Sequence, residues 1–373
     1  MEEIIREAAL LENRYVKKWK GGGSPVVGYT CVATPVEILE AAGVLPYRVR
    51  ALGAPDTEMA DAHLSRFNCS FCRSCLQLGL TGAYDFLDGM IGTNGCDHLR
   101  GMIENWNYNK GFAFFHYLKV PHIVDEDSTQ FFEEDVRRYK RSVEERFGKA
   151  ITDEALWEQI RTQDRIQDKL RKVYEMREQE NPAITGTEAL SLFLLATAMP
   201  CADLEKTLHA VIEDRKGHAF TAVRARLLLG GAATDEIDFV KAIESLGALV
   251  VTDTLCYGAR AFRTRVAEKG DPLRALSKAY LGGLLCPRMF DDFKSRERFM
   301  FDAVKRARVD GVILVHNKFC DVHGVDNVAL RMSLEKAGVP VLQLEKEYGA
   351  KADLGRMRTR FQAFLERIDE KNV

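Results

Sequence analysis

Short apolar runs that alternate with longer helical segments constrain the fold of this chain more than any other feature. Eight such runs span residues 26–30, 47–52, 86–92, 113–120, 225–229, 248–252, 311–316 and 339–344. Because they are apolar on both faces, they need cover on both sides, and in parallel sheets helices supply that cover. The sequence therefore predicts an α/β protein with two doubly wound, Rossmann-like or flavodoxin-like parallel sheets.

The distribution of these runs divides the 373 residues into four parts. Residues 1–21 predict one charged amphipathic N-terminal helix, and residues 22–126 a first α/β domain. Residues 127–217 are charged, poor in glycine and helical in periodicity, which predicts a helical connector. Residues 218–373 predict a second α/β domain, in which the segment GGAATDE lacks the G-x-G-x-x-G pattern of a dinucleotide loop and is interpreted as a tight turn.

Charge and hydropathy exclude two classes of partner. The 53 basic and 55 acidic side chains give a net charge of −2, which argues against a nucleic-acid-binding protein. The longest apolar stretch, residues 190–198, is far shorter than the ~20 residues needed to cross a bilayer, and the N-terminal segment lacks a signal-peptide core. We therefore expect a cytoplasmic protein that binds neither membrane nor nucleic acid.

Nine cysteines in such a chain indicate chemistry, since a reducing cytosol does not maintain disulfides. Six of them stand at boundaries between predicted elements: Cys31, Cys69, Cys96, Cys256, Cys286 and Cys320. Ligands of open α/β sheets bind beyond the carboxyl ends of the strands. These cysteines therefore predict a metal cluster held by loops between the two α/β units.

The remaining cysteines are less informative. In the run Cys69, Cys72, Cys75, helical spacing spreads the three side chains over about 240°, so we expect only Cys69 to be a ligand. Whether Cys72 or Cys75 contributes or belongs to the core stays open. Cys201, beside a proline at a helix boundary, is interpreted as a buried small hydrophobic residue.

Alternative chemistries have weaker support. Zinc would need four nearby Cys or His ligands, and no second C-x-x-C or paired histidine is present. Cys320 with His316 or His323 could form a nucleophilic pair, but no hydrolase signature surrounds them. His98 and His323 are weak catalytic candidates, and polar loop residues are the simpler interpretation of both. Glu37 is the third weak catalytic candidate. The segment around it is explained by ordinary helix capping, with Thr34 as the N-cap and Pro35 at the first helical position.

Several separated segments resemble the iron–sulfur subunits of 2-hydroxyacyl-CoA dehydratases and benzoyl-CoA reductases. They include GYTCVATPVEILEAAGVLPYRV, FNCSFCRSCLQLGL, IGTNGCDHLRGMIENW, VVTDTLCYGARAF and GVILVHNKFCDVHGVDNVALRMSLEKAGVPVLQLE. The cysteine segments occur in the same order as in that family, with similar flanking residues. The resemblance extends over nearly the whole chain.

The resemblance implies a [4Fe-4S] cluster between two α/β domains, held by Cys69 of NCSF, Cys96 of GCDH and Cys320 of KFCD. Cys31, Cys256 and Cys286 match positions that carry cysteine in some relatives, including those with a double-cubane [8Fe-9S] cluster. We expect the single cubane, because Cys286 precedes a proline and Cys256 precedes the bulky Tyr257.

The implied function is that of a subunit of an oxygen-sensitive, anaerobic, radical-type enzyme acting on CoA thioesters. It would be a dehydratase, which is a lyase, or a reductase, which is an oxidoreductase. Low-potential electrons come from a separate ATP-hydrolysing iron–sulfur activator, in agreement with the missing phosphate-binding loop. A homologous subunit, in a hetero- or homodimer, is the other implied partner. The alternatives are a double-cubane protein that reduces small molecules and a noncatalytic electron-relay subunit.

Overall fold

Two parallel four-stranded sheets organise the chain, and the prediction of an α/β protein with two Rossmann-like domains is confirmed. The structure is a computed structural model that describes residues 1–348 and 353–372. The first sheet has the order β2-β1-β3-β4 and the second the order β6-β5-β7-β8, all neighbours being parallel. The strands are β1 (Val26–Tyr29), β2 (Leu45–Arg48), β3 (Gly89–Thr93), β4 (Phe115–Leu118), β5 (Arg226–Gly231), β6 (Leu249–Asp253), β7 (Gly311–Asn317) and β8 (Val341–Lys346).

Helices cover both sheets, as the apolar strands require. In the first half these are α1 (Glu2–Ala8), α2 (Arg14–Gly21), α3 (Glu37–Ala41), α4 (Glu58–Asp61), α5 (Ser70–Leu80) and α6 (Asp97–Lys110). Four helices follow: α7 (Glu126–Phe147), α8 (Asp153–Glu178), α9 (Gly186–Ala196) and α10 (Cys201–Asp214). The remaining ones are α11 (Ile237–Glu244), α12 (Pro272–Gly282), α13 (Phe293–Arg306), α14 (Asp321–Lys336) and α15 (Asp353–Asn372).

Three predicted boundaries differ from the structure. The single N-terminal helix is two helices, because the side chain of Asn13 caps α2 by accepting from the N–H groups of Tyr15 and Val16. Strand β2 begins before the predicted run and includes Pro46, which is tolerated because β2 is an edge strand. Strand β3 begins at Gly89, later than predicted.

The two sheets share one hydrophobic core. Leu45 and Tyr47 of β2 belong to the same buried cluster as Leu227 of β5 and Val315 of β7. The fully buried carboxylate of Asp235 accepts a 2.7 Å hydrogen bond from the backbone N–H of Ala51, which joins the loop after β2 to the loop after β5. The carboxyl ends of the two sheets are thereby held against each other.

Helix α12 crosses back to the first sheet. Its residues Leu273 and Leu276 are buried with Val27 of β1 and Ile91 of β3. This crossing brings the segment after α12, which contains Cys286, close to the loops of the first sheet. Among the described residues, no helix combines the length and apolar character needed to cross a bilayer.

Candidate metal centre

The cysteine loops follow strands at the point where the strand order of each sheet reverses. Cys31 follows β1 and Cys96 follows β3, which are neighbours in the first sheet. Cys320 follows β7, the neighbour of β5 in the second sheet. Such reversal points open a crevice for ligands in doubly wound sheets. Here the two crevices face each other.

Three cysteines precede helices directly. Cys69, Cys96 and Cys320 are the N-cap residues of α5, α6 and α14. The sulfur of Cys96 accepts from the N–H of Leu99 at 3.4 Å. The positive end of a helix stabilises a thiolate, the form that metals bind, although a hydrogen bond to Cys69 and burial raise the pKa of Cys320 well above its ordinary value.

The sulfurs of this group form a connected chain that includes a fourth cysteine. The thiols of Cys320 and Cys72 hydrogen-bond to Cys69 and hold its pKa well below the ordinary value. Cys72 also hydrogen-bonds to Cys96, whose pKa is lowered as a result. We call Cys69, Cys72, Cys96 and Cys320 the first sulfur group.

The sequence left open whether Cys72 contributes to the site, and the structure places Cys72 beside Cys69. Helix α5 begins at Ser70, and Cys69 has extended backbone angles of φ −48° and ψ 127°, so its side chain does not follow the 100° rotation of a helix. Cys69 and Cys72 therefore face the same side. Cys75, further along α5, is fully buried in the core and does not line the site.

Cys31, Cys256 and Cys286 form a second sulfur group on loops. Burial raises the pKa of Cys286 to about 11, the charge of Arg260 opposes this shift, and Cys31 and Cys256 are close enough to act on it. The sulfur of Cys31 lies 3.9 Å from the position that a Cβ on Gly95 would occupy, directly before Cys96. The two sulfur groups are thus adjacent.

One cavity is lined by both sulfur groups. Counting all space between its walls, including the part open to solvent, it measures about 840 Å³. Its remaining walls are mostly apolar, with Phe71, Leu99 and Leu284 among them. Tyr257, the bulky neighbour that argued against Cys256, also lines the cavity, and its hydroxyl donates to the carbonyl of Val49. We call this space the cysteine cavity.

Three buried arginines line the cysteine cavity without a carboxylate partner. Arg48, Arg260 and Arg288 are 3%, 8% and 2% exposed. They donate mainly to backbone carbonyls, including those of Cys256, Leu285 and Val120, and no ion pair joins them to an acidic side chain in the described part of the chain. Burying a charge without a counter-charge costs several kcal/mol, roughly. The cavity is therefore suited to an anionic occupant.

Buried polar contacts fix the loops that carry the cysteines. Asp253, the last residue of β6, accepts from the N–H groups of Leu255 and Ala259 on either side of Cys256. Its other oxygen accepts from Arg177 at 3.0 Å and from the hydroxyl of Tyr174 at 2.8 Å. The position of Cys256 thus depends on one buried carboxylate.

The loop of Cys320 contains a left-handed residue, Phe319, at φ 64°. The carbonyl of its neighbour Lys318 accepts from the N–H of Ser70 at 3.1 Å, which fastens this loop to the start of α5. A non-glycine residue in this region costs of order 1–3 kcal/mol and persists only when its surroundings impose it. Cys69 and Cys320 are therefore held together by backbone structure from both domains.

The three weak catalytic candidates occupy different places. The Nδ1 atom of His98 accepts from the backbone N–H of Cys69 at 3.0 Å, so His98 supports the first sulfur group. His323 lines the cysteine cavity and is 8% exposed, and its Nδ1 has no hydrogen-bond partner within the described part of the chain. Glu37 does not line this cavity; it is buried and accepts from the hydroxyl of Tyr280 at 2.8 Å.

Two further expectations need correction. Thr34 does not cap a helix: α3 begins at Glu37, and the hydroxyl of Thr34 has no partner in the protein. Cys201 is not surrounded by apolar groups alone, because its thiol donates to the carboxylate of Glu40 at 2.9 Å. His316, the proposed partner of Cys320 in a nucleophilic pair, contacts the backbone carbonyl of that residue at 3.1 Å.

The donor set of the cysteine cavity fits an iron–sulfur cluster. Within residues 1–348 and 353–372, no three His, Cys, Asp or Glu side chains converge on the point that one metal ion would occupy. Thiolates that hold a cubane surround a core several Å wide, so their sulfurs are spread rather than focused. All nine cysteines are free, and seven of them line this single cavity.

A second cavity also borders the first sulfur group. It measures about 1,080 Å³ and is lined by Cys69, Cys96 and Cys320. Its other walls carry charges of both signs, from Arg100, Arg288, Asp97 and Asp321, together with His98, His122 and Phe290. We call this space the outer cavity.

The sequence interpretation missed the buried arginines. Arg48 and Arg288 stand alone in the otherwise apolar segments LPYRV and LLCPRMF. A single cation among buried residues is the signal that identifies them, since charged residues are rarely buried without a partner.

Comparisons with known proteins identify the family of this chain. A family model described as 2-hydroxyglutaryl-CoA dehydratase, D-component, matches residues 31–368. The chain is 29% identical to the putative dehydratase subunit YjiM of Escherichia coli strain K12, over 94% of this chain and 93% of that one. It is 27% identical to the (R)-phenyllactyl-CoA dehydratase beta subunit of Clostridium sporogenes, over 96% of each chain. It is 26% identical to a benzoyl-CoA reductase subunit of Thauera aromatica, over 85% of this chain and 86% of that one. With a match over this much of its length, the chain belongs to the 2-hydroxyglutaryl-CoA dehydratase D-component family.

Proposed function

We propose that this chain is the iron–sulfur subunit of an oxygen-sensitive reductive enzyme of its family, and that the cysteine cavity holds a double-cubane [8Fe-9S] cluster. One observation carries the proposal: two sulfur groups line the same cavity together with three buried arginines that lack acidic partners. Such a cluster supplies low-potential electrons when bound. The electrons come from a separate ATP-hydrolysing activator.

Charge favours two cubanes over one. Two cubanes joined by sulfide and held by six thiolates carry more negative charge than one cubane held by three. Arg48 and Arg260 lie beside the second sulfur group, which a single cubane at Cys69, Cys96 and Cys320 would leave unused. This reverses the preference for a single cubane that the residues beside Cys256 and Cys286 suggested.

The protein's own residues would exclude water and hold the ligands. Helix N-termini support Cys69 and Cys96 as thiolates, Cys320 occupies the same position on α14, and Asp253 positions the loop of Cys256. Apolar walls lower the local dielectric constant, so the fixed charges of the arginines act strongly. His323, buried beside the first sulfur group, is a hydrogen-bond donor or acceptor for a bound substrate.

A second candidate is a single [4Fe-4S] subunit of a 2-hydroxyacyl-CoA dehydratase or benzoyl-CoA reductase. The outer cavity favours it, because it opens on Cys69, Cys96 and Cys320 and carries Arg288, whose guanidinium group suits a phosphate of a CoA thioester. The relatives described above are named as subunits, which supports a homologous partner chain in both proposals.

Metal and sulfide analysis of the anaerobically reconstituted protein tests the proposal. We expect about eight iron atoms per chain, against about four for a single cubane. Cys286→Ala should remove about half of the iron or more, whereas the matched control Cys201→Ala, outside the cavity, should keep all of it. If Cys31→Ala, Cys256→Ala and Cys286→Ala each bind as much iron as the wild type, the single cubane is favoured. Zinc without sulfide in the wild type would refute both candidates.

A further inference from the structure

A separate polar cavity lies next to the cysteine cavity. It measures about 710 Å³, and Val32 and Arg48 line both spaces. Its own walls include Thr34, Glu40 and Gln167. We call this space the polar cavity. It contains none of the seven cysteines of the candidate metal centre.

Several buried polar atoms at the two cavities have no hydrogen-bond partner among the described residues. Thr34 is 1% and Gln167 8% exposed, and both the hydroxyl of Thr34 and the Oε1 of Gln167, in the polar cavity, are unpaired. The hydroxyl of Thr30, which lines the cysteine cavity, is unpaired as well. Leaving a buried polar group unpaired costs roughly 1–3 kcal/mol, so water molecules are their natural partners. Thr34 places its unpaired hydroxyl in the polar cavity, and Thr30, four residues earlier in the loop between β1 and α3, places one in the cysteine cavity.

Two carboxyl groups adjoin the polar cavity without a cation paired to either. The Oε1 of Glu40 accepts from the thiol of Cys201 at 2.9 Å and from the amide of Gln163 at 2.7 Å, while its Oε2 is unpaired. Glu37 does not line the polar cavity itself. Its carboxylate accepts a hydrogen bond from the hydroxyl of Tyr280, whose side chain lines that cavity.

The surroundings favour neutral carboxyl groups. Burial raises the pKa of Glu37 to about 8, and it also raises the pKa of Glu40, against the opposing hydrogen bonds from Cys201 and Gln163. The other titratable or charged groups that face them from β1, β2, α7, α8, α10 and α12 are Tyr29, Arg48, Tyr139, Asp164, Cys201 and Tyr280.

We propose that the polar cavity is a hydrated proton store that supplies the cysteine cavity, with Glu40 as its main donor and the hydroxyls of Thr34 and Thr30 as its path. This inference rests on the proposed function, in which a substrate that is reduced takes up one proton for each electron that it receives. The O–H bond of the Glu40 carboxyl breaks, and its proton passes through water and the two hydroxyls to the substrate. The carboxylate that remains regains a proton from solvent on the half-buried side, at Gln163 and Cys201.

Infrared spectroscopy of the cluster-free protein tests the store itself. At pH 7 we expect the C=O stretch of protonated carboxyl groups, shifted in D2O, and we expect Glu40→Gln to remove part of it. Glu154→Gln, an exposed control on α8, should leave the band unchanged. An identical band in wild type, Glu40→Gln and Glu37→Gln would overturn the proposal whatever the outcome of iron analysis.

Reduction-induced infrared difference spectra of the reconstituted protein test the path, with titanium(III) citrate as reductant. Without substrate, a cysteine thiolate in the cysteine cavity accepts the proton when the bound cluster is reduced, so we expect a transient decrease of the carboxyl band in wild type and in Thr34→Ser before solvent restores the proton to Glu40. In Thr34→Val, which has the same shape without a hydroxyl, the band should be present before reduction and unchanged after it. A full decrease in Thr34→Val at equal iron content would refute the path. Failure to bind iron in wild type would instead contradict the proposed function.

Discussion

The guanidinium carbon of Arg48 lies 3.9 Å from the centre of the Tyr257 ring, and this contact joins the end of β2 to the loop that carries Cys256. The same arginine donates to the backbone carbonyl of Cys256. A single buried cation therefore connects the two domains at the wall of the cysteine cavity.

Replacing Arg48 should lower the capacity of the protein to bind a cluster but should leave its stability nearly unchanged. In Arg48→Met the cluster-free protein loses a cation–π contact worth up to about 2 kcal/mol. It is also relieved of an unpaired buried charge, which is destabilising, so the two effects oppose each other and the free energy of unfolding should change little. Iron content after reconstitution should fall clearly. Chemical denaturation and iron analysis of the same preparations measure both quantities.

Arg50→Met is the matched control for that variant. Arg50 is equally buried two residues further on, but it binds the carbonyls of Ala8 and Leu10 and lies outside the cavity. It should lose stability and keep its iron. Equal iron content in Arg48→Met and wild type would contradict the role given to the cavity arginines.

Asp253→Ala should destabilise the chain and loosen Cys256. Removing one partner of the buried pair with Arg177 leaves an uncompensated cation, which costs about 3–5 kcal/mol. The N–H groups of Leu255 and Ala259 lose their acceptor as well. Urea titration and iron analysis check the two effects; a stable variant with lower iron would show that only the loop depends on this carboxylate, and normal values for both would refute the prediction.

Glu37 should make the cluster-free protein less stable as the pH rises. Its pKa is raised from 4.5 to about 8, so below pH 4.5 both the folded and the unfolded chain bind the proton. Between these values the unfolded chain releases the proton first, and stability falls by up to about 1.4 kcal/mol per pH unit, until the full loss is reached above pH 8. Glu37→Gln should show a shallower slope between pH 5 and 8 in denaturation curves. An unchanged slope would mean that Glu37 ionises normally.

An apolar strip on α14 should contribute to subunit association. Val325, Val328 and Met332 are 77%, 41% and 63% exposed, and their spacing puts them on one face of the helix. The double variant Val325→Glu and Met332→Glu should shift the protein toward monomer in analytical ultracentrifugation without lowering its stability. Lys336→Glu, at the end of the same helix, controls for added negative charge. An unaltered sedimentation profile would place the interface elsewhere.

The local sequence pattern determined the helices and strands, and it determined which residues follow directly after each strand. Runs such as 311–316 are apolar on both faces, so they had to be covered strands, and Cys96 and Cys320 follow strands in the sequence itself. The exact ends were less certain, because packing decides them: Pro46 lies within β2, and Asn13 divides the N-terminal helix.

Only the tertiary structure decided which groups meet. Cys72 belongs to the first sulfur group because α5 begins one residue after Cys69, and Cys286 reaches the second because α12 crosses to the first sheet. Arg48 and Arg260 come from different domains, and their lack of acidic partners becomes visible only once every neighbour is placed. Spacing along the chain decides which face or end of an element a side chain occupies. Whether buried charges and sulfur atoms come together in one cavity depends on contacts between residues that are far apart in sequence.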